Sequence, residues 1–258
     1  NGLQDHSVLA AIKHFPGHGD TNTDSHLDLP VVSHSLSRLQ NVELAPFQAL
    51  MNKGIGGVMV AHLYVPTLEN QKGIPASVSK SIVTDLLKNK MGFKGLIITD
   101  ALNMGAVANR YKPGELDALA FKAGNDIMLF SQGVAEGKKL IQTAIDSGEI
   151  PQSRVEESVK KILLTKYYLG LKDFTPINPE NINRDINNDS HRELMQKLYA
   201  NAITLIKDDQ KLLPLKTSET YYYLPLEEAP FQAFYDQLSA SLNIKLIKAA
   251  DLNSVPKN

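Results

Sequence analysis

The sequence predicts an α/β fold with a parallel sheet, and two observations support it. Four apolar runs have the composition of buried strands, and each precedes a segment with apolar residues at helical spacing. The connections are short, and right-handed βα crossovers place all their loops at one edge of a sheet. Strands are predicted over residues 8–13, 57–61, 95–99 and 126–130. Helices are predicted over residues 36–53, 77–90, 115–123 and 134–147.

Each element has its own signal, taken in chain order. The first strand is the run Val-Leu-Ala-Ala-Ile, and the first helix carries an apolar stripe that stops at Gly54. The second strand is Gly-Val-Met-Val-Ala, and Ser77 or Ser79 is a suitable cap for the helix after it. The third strand ends on Asp100. The fourth, Asp-Ile-Met-Leu-Phe, precedes a helix that ends near Ser147.

Four βα units make half of an eight-unit TIM-like (β/α)8 barrel. A complete barrel takes about 250 residues, whereas these units occupy about the first 150. We therefore expect an amino-terminal half barrel outside these residues, on this or another chain. Residues 151–171 predict a packing helix that completes a first domain over 1–171. The Asn-, Pro- and Asp-rich segment 172–188 predicts a linker, and a second domain is expected over 189–258.

The amino-acid composition limits the kinds of molecule that the protein is expected to bind. The 258 residues carry a net charge of −1 and no cysteine. Near neutrality argues against nucleic acid or an anionic membrane as partner. No apolar run reaches the roughly 18 residues of a membrane helix, and the missing cysteines exclude disulfides and thiolate metal sites. A small neutral molecule is the partner we expect.

A polar, glycine-rich loop follows the first predicted strand. Residues 13–26 read KHFPGHGDTNTDSH and contain three histidines, a lysine and two of the chain's aspartates. Parallel α/β sheets bind ligands in loops at the carboxyl ends of their strands. Asp100 follows the third strand and is expected at the same edge. The sequence therefore predicts a site that contains a His–Asp pair and a separate aspartate.

Local alternatives exist for every one of these residues. Asp100 could cap a helix, and Asp24 with His26 could form a pair on the protein surface. Lys13 could pair with Asp20 or Asp100, and His14 could be a core histidine. His14, His18, Asp24 and His26 are of the types that bind zinc. Pro16, Gly17 and Gly19 exclude the helix that would align two such rings, so no metal is predicted.

Two motifs resemble a known family. KHFPGHGDT followed by DSH, and then TDALNM about 75 residues further on, resemble the β-N-acetylglucosaminidase branch of the family 3 glycoside hydrolases. The resemblance covers most of residues 1–170. It implies a barrel followed by an α/β sandwich domain, of which residues 189–258 would be the start. It also implies a retaining hydrolase that needs no cofactor.

The resemblance implies roles for individual residues. Asp100 would be the nucleophile that forms a covalent glycosyl intermediate, and His26, oriented by Asp24, would be the acid and base. Lys13 and His14 would bind sugar hydroxyls. His62 and Met104 are further candidates for substrate binding, Met104 also being a plausible core residue. In the loop, Gly17 and Gly19 would supply mobility and His18 would hold the local fold.

The implied substrate is β-linked N-acetylglucosamine in glycans or peptidoglycan fragments. The second domain and the missing start of the chain favour an exported, periplasmic or secreted protein. Two other functions remain open. A histidine acid/base does not repel phosphate, so a phosphorylase on the same scaffold is one alternative. A carbohydrate-binding fragment without turnover is the other, since an Arg and an Asp that the family draws from earlier loops have no counterpart here.

Overall fold

The computed structural model describes residues 2–21, 29–226 and 231–248, and it contains two compact units. The first unit covers Asn1–Pro176 and the second Ile177–Asn258. The boundary falls inside the predicted 172–188 linker. In the described part of the chain, no helix combines the length and the apolar character needed to cross a bilayer.

The first unit is built on an open parallel sheet in the order β1–β2–β3. The strands are β1 (Ala11–Phe15), β2 (Gly57–Val60) and β3 (Leu96–Thr99). Its α-helices are α1 (Leu36–Arg38), α2 (Ala45–Met51), α3 (Gly105–Ala108), α4 (Glu115–Ala123), α5 (Val134–Asp146) and α6 (Gln152–Tyr168). Two wider helices with π-type hydrogen bonding cover Leu39–Glu43 and Ser81–Lys90, and short 3-10 turns cover Gln4–His6, Ala76–Val78 and Leu171–Asp173.

The two faces of this sheet differ in burial because side chains alternate along each strand. Val58, Val60 and Ile97 are fully buried beneath the helices, where Ile82 and Leu87 of the helix Ser81–Lys90 join the same core. On the opposite face, Ala11 and Lys13 are exposed, and Met59 and Ile98 are half-buried. The helices thus cover one face of the sheet and leave the other open.

β1 begins and ends later than the sequence predicts. It extends to Phe15, whose ring is fully buried and meets the Phe47 ring edge-to-face at 5.2 Å. Lys13 and His14 therefore lie inside β1 instead of at its end. Packing of an aromatic ring against α2 decides this boundary, which the apolar run alone does not reveal.

The predicted helix over 36–53 is wrong as a single element. It forms three consecutive pieces, namely α1, the wide helix Leu39–Glu43 and α2. Pro46 lies in the first turn of α2, where its missing N–H group removes one hydrogen bond to the preceding turn. The chain widens its turn immediately before this proline, which restores hydrogen bonding through Leu44 N and the carbonyl of Leu39 at 2.8 Å.

The predicted fourth strand is present only as an extended segment with one bridge, from Ile98 to Ile127. Hydrogen bonds from main-chain amides to side chains hold the segment beside β3 where strand pairing is absent. The amide of Ile97 donates to the Asp126 carboxylate at 3.0 Å, and the amide of Leu129 donates to Thr99 Oγ1 at 3.0 Å. The segment is held beside β3 but has too few main-chain pairs to count as a strand.

Helix α6, the predicted packing helix, is held to the rest of the first unit through polar groups. Arg154, Ser158 and Lys161 recur at helical spacing and all contact the buried carboxylate of Asp126. The apolar residues Val159, Leu163 and Tyr167 are instead exposed. A carboxylate with no exposed side-chain surface requires cationic and hydrogen-bonding partners, and this requirement orients the helix.

The second unit contains a parallel pair, β4 (Thr220–Tyr223) and β5 (Asn243–Leu246), joined through α9 (Gln232–Ser239). Before it lie α7 (Ile182–Ile186), α8 (Asp189–Ala202) and the short turn Pro179–Asn181. The apolar run at residues 202–207 has the composition of a strand but forms none. Ile203 and Ile206 are 82% and 94% exposed, and in the described residues of this unit only β4 and β5 pair with each other.

We expect Asp126→Ala to destabilise the protein by about 3 kcal/mol, because it leaves two cations and the Ile97 amide without their buried partner. Thermal or denaturant unfolding measures the loss. Asp85→Ala is the matched control, since it removes an exposed ion pair with Lys80 and should cost less than about 1 kcal/mol. Equal losses in the two variants would contradict the role assigned to Asp126.

Candidate active site

The parallel sheet brings three polar side chains to one edge. His14 lies near the end of β1, His62 follows β2 by two residues, and Asp100 directly follows β3. Because all three strands run in the same direction, their carboxyl ends share one edge of the sheet. The structure places His14 Nε2 3.7 Å from Asp100 Oδ2.

Asp100 is fixed by the main chain and keeps one carboxylate oxygen towards the open face. Its amide donates to the Val60 carbonyl at 2.9 Å, and its Oδ1 accepts the amide of Ala101 at 2.9 Å. The side chain is 13% exposed. The next helix, α3, begins at Gly105 with Met104 at its cap position, so Asp100 does not cap it. This excludes the helix-cap alternative for Asp100.

His14 is held in a mainly neutral state. Burial lowers its pKa below 6.5, and the charges of Lys13 and His18 act in the same direction, while the Asp100 carboxylate partly offsets them. The His14 and His18 rings meet edge-to-face at 5.9 Å. At neutral pH His14 is therefore an uncharged hydrogen-bonding group beside the carboxylate.

His62 lies beneath the site with no exposed surface. Its Nε2 is 3.1 Å from the Ala101 carbonyl, which only accepts, so Nε2 carries the proton and donates it. Burial lowers the pKa of His62, so the ring is neutral and its Nδ1 accepts the hydroxyl of Ser77 at 2.7 Å. Both ring nitrogens are thus used within the protein. His62 fixes the peptide that follows Asp100 and offers nothing to a ligand.

Gly17 and Gly19, in the loop after β1, differ in how strictly the structure requires a glycine. Gly17 has φ +130, and a Cβ there would lie 2.7 Å from Glu43 Cβ. A side chain fits neither its backbone conformation nor its neighbour. A Cβ on Gly19 would meet nothing within 4 Å. His18 Nδ1 lies 2.9 Å from Thr21 Oγ1, a contact within the same loop.

Three side chains that the motifs did not single out form a charged cluster with Asp20 beside this loop. His34 Nε2 donates to Asp20 Oδ2 at 2.8 Å, and Arg38 pairs with Glu43 at 3.0 Å and with Asp20 at 3.7 Å. A cavity of about 520 Å³ runs from this cluster to Lys13 and His14. Asp20 is therefore engaged by His34 and Arg38. No spacing signal identifies Arg38, because the fold alone turns α1 towards the loop.

The remaining predicted site residues are placed as follows. Lys13 is exposed beside His14, and Met104 is 7% exposed and faces the protein interior. Asp24 and His26 lie in the segment 22–28, outside the described residues. Within the described ranges, no three His, Asp or Glu side chains cluster in a way that suits a metal ion.

Comparison with known proteins agrees with this geometry. The family model described as the glycosyl hydrolase family 3 N-terminal domain matches residues 1–165. "Beta-hexosaminidase A" of Pseudoalteromonas piscicida is 32% identical over 84% of this chain and 39% of its own length. "Beta-N-acetylglucosaminidase/beta-glucosidase" of Cellulomonas fimi is 27% identical over 85% of this chain and 40% of its own length.

Two solved structures share the fold. A family 3 β-N-acetylglucosaminidase from Paenibacillus sp. superimposes with a TM-score of 0.78 at 30% identity, over 96% of this chain and 49% of that one. "Beta-glucoside phosphorylase BglX" superimposes with a TM-score of 0.82 at 25% identity, over 100% of this chain and 49% of that one. The chain thus spans less than half the length of these relatives. It belongs to glycosyl hydrolase family 3, whose N-terminal domain model matches residues 1–165.

Proposed function

We propose that the full-length protein is a retaining glycoside hydrolase that removes terminal β-linked N-acetylglucosamine from glycans or peptidoglycan fragments. Asp100 is the nucleophile, and His26, oriented by Asp24, is the acid and base. The observation that carries the proposal is the Asp100 carboxylate at the carboxyl end of β3, with one oxygen held by the Ala101 amide and the other facing His14.

The geometry of Asp100 fits a displacement in two steps. In the first step Oδ2 attacks the anomeric carbon, the glycosidic bond breaks, and His26 gives its proton to the departing oxygen. In the second step His26 takes a proton from water, whose oxygen attacks the same carbon and releases Asp100. The hydrogen bond from Ala101 to Oδ1 leaves Oδ2 as the reacting oxygen and fixes the carboxylate plane.

Neighbouring residues position the nucleophile and the sugar. His62 donates to the Ala101 carbonyl and so holds the peptide whose amide binds Asp100. Lys13 and neutral His14 line the same cavity, and in this scheme both hydrogen-bond sugar hydroxyls. In this scheme His62 is a positioning residue. The hexosaminidase names of the relatives support N-acetylglucosamine as the sugar.

A barrel completed by further chain fits the open sheet. Met59 and Ile98 are half-buried on the face that carries Lys13, and apolar strand residues in parallel sheets are normally covered on both faces. We infer that an amino-terminal half barrel covers this face, with residues 189–258 beginning the α/β sandwich domain.

A second candidate function is phosphorolysis. The structural similarity to a β-glucoside phosphorylase, with a TM-score of 0.82, supports this second candidate. Incubation of the full-length protein with substrate in phosphate buffer distinguishes the two reactions. Free sugar as the sole product supports hydrolysis, whereas sugar 1-phosphate would assign the phosphorylase.

Asp100→Asn should lower kcat by a factor of about 1,000 or more in the full-length protein, because the amide cannot form the glycosyl intermediate. Steady-state kinetics on an aryl β-N-acetylglucosaminide measures the loss. The matched control, Asp85→Asn, removes an exposed carboxylate on the helix Ser81–Lys90 and should leave kcat within twofold, a change of about 0.4 kcal/mol or less. Activity of Asp100→Asn within about tenfold of wild type would exclude Asp100 as nucleophile.

His26→Ala should slow the cleavage of alkyl glycosides about 100-fold or more, because their leaving groups need a proton. Aryl glycosides with acidic phenols leave unaided, so their glycosylation step should be nearly unaffected. Pre-steady-state and steady-state rates for both substrate classes measure the difference, and Asp24→Asn should act in the same direction with a smaller effect. Equal losses on both classes would remove His26 from the acid role.

Titration of His14 tests whether the Asp100 carboxylate raises the pKa of this ring. His14 should titrate below 6.5, since burial is the largest cause of its lowered pKa. Asp100→Asn should lower the pKa of His14 further, because the carboxylate is the group that raises it. NMR of selectively labelled histidines follows both midpoints, with Asp85→Asn as control. An unchanged or raised midpoint in Asp100→Asn would contradict the contact between the two groups.

A further inference from the structure

A separate cavity lies at the end of the sheet opposite Asp100. It has a volume of about 460 Å³ and is formed by the carboxyl-terminal part of the helix Ser81–Lys90, the segment just before β3 and the turn that joins α5 to α6. Lys161 on its wall reaches the carbonyl of Gly95, which precedes β3. The cavity therefore opens at the amino ends of the strands, within the first unit.

Positive charge dominates this cavity. Six cationic side chains line it, which are those of Lys80, Lys88, Lys94, Lys122, Arg154 and Lys161. Four carboxylates contact them. Asp85 pairs with Lys80 and Glu149 with Lys122, while Asp126 is shared by Arg154 and Lys161, and Glu157 by Lys161 and Lys88. Six cations against four carboxylates leave two positive charges in excess.

Lys88 is largely buried and has only a distant counter-ion. Its side chain is 13% exposed, and its nearest carboxylate oxygen, on Glu157, is 4.0 Å away. Burial lowers the pKa of Lys88 to about 8, and the charges of Arg154 and Lys161 add to the effect, against weaker opposition from Asp126 and Glu157. A doubly charged anion in the cavity would satisfy this ammonium group.

The other walls suit a small molecule with an anionic head. Phe93 and Ile150 are almost fully buried and give the cavity an apolar side. The 17-residue helix α6 starts at this turn, and its first turn carries no acidic side chain. The positive end of its dipole favours an anion, in addition to the lysines. The volume lies within the range of small-molecule sites, about 300–1,000 Å³.

We propose that this cavity binds the phosphate group of a small molecule, with Lys88, Lys94 and Arg154 as its cationic contacts. The phosphate is either free inorganic phosphate or the head of an ester whose organic part lies against Phe93. This binding site is independent of the proposed hydrolase function, since it lies at the other end of the strands.

The test is isothermal titration calorimetry of the full-length protein at constant ionic strength, with inorganic phosphate and phenyl phosphate as separate probes. Both should bind to the wild type, and Lys88→Gln should weaken binding about tenfold or more. Lys90→Gln is the matched control, because Lys90 is exposed on the same helix and outside the cavity. It should change affinity less than about twofold.

The two probes distinguish the source of the phosphate. Tighter binding of phenyl phosphate assigns an ester, and equal binding assigns the free ion. If Lys88→Gln fails to fold, Lys94→Gln replaces it, because Lys94 is exposed and should lower affinity in the same way. Affinities that neither variant changes, or binding of neither probe, would overturn the proposal.

Proton uptake gives a second readout that a structural role for Lys88 would not produce. Sulfate keeps its charge between pH 6 and 8, so its binding changes only the protein's protonation. With the pKa of Lys88 at about 8, sulfate binding at pH 8 should take up about half a proton, and at pH 6 almost none. Calorimetry in buffers of different ionisation enthalpy measures the uptake. Equal uptake by wild type and Lys88→Gln at pH 8 would contradict the assignment.

Discussion

The buried carboxylate of Asp126 connects the parts of the first unit on which both sites depend. It accepts the amide of Ile97 in β3 and contacts Arg154 and Lys161 in α6. The extended segment that begins at Asp126 then supplies the Leu129 carbonyl to the amide of Leu102, two residues beyond Asp100. One buried charge thereby sets the position of α6, the wall of the cationic cavity and the chain around Asp100.

The strength of this arrangement follows from desolvation. A carboxylate without exposed surface needs hydrogen bonds or cations on every side, and helix α6 provides three such groups from successive turns. Arg154 and Lys161 also line the cavity, where the nearest carboxylate oxygen to Lys88 is 4.0 Å away. The positive charge of the cavity and the position of helix α6 thus both follow from the burial of the Asp126 carboxylate.

At the carboxyl ends of the strands, burial has a different consequence, because it keeps two histidines uncharged. Burial of His14 and His62 lowers the pKa of each ring, so both histidines near Asp100 are uncharged at neutral pH. His62 supports the Ala101 peptide from below, and His14 meets the carboxylate from the open face. A carboxylate that reacts as a nucleophile benefits from neutral neighbours, since a close cation would stabilise its charge before reaction.

The sequence by itself determined the βα order of the first unit, the strands that end at Asp100 and before His62, and the motifs that identify the family, because hydrophobic period and motif spacing are local properties. Pro46 splits the 36–53 helix by a local effect that the apolar stripe does not reveal. The tertiary structure alone decided the polar face of α6, the exposed chain at 202–207 and the inward turn of His62. It also requires glycine at position 17, through the approach of Glu43. In each case the partner that decides lies far away in the chain or is missing from the sheet, and burial and hydrogen bonding between distant segments leave no periodic signal in the sequence.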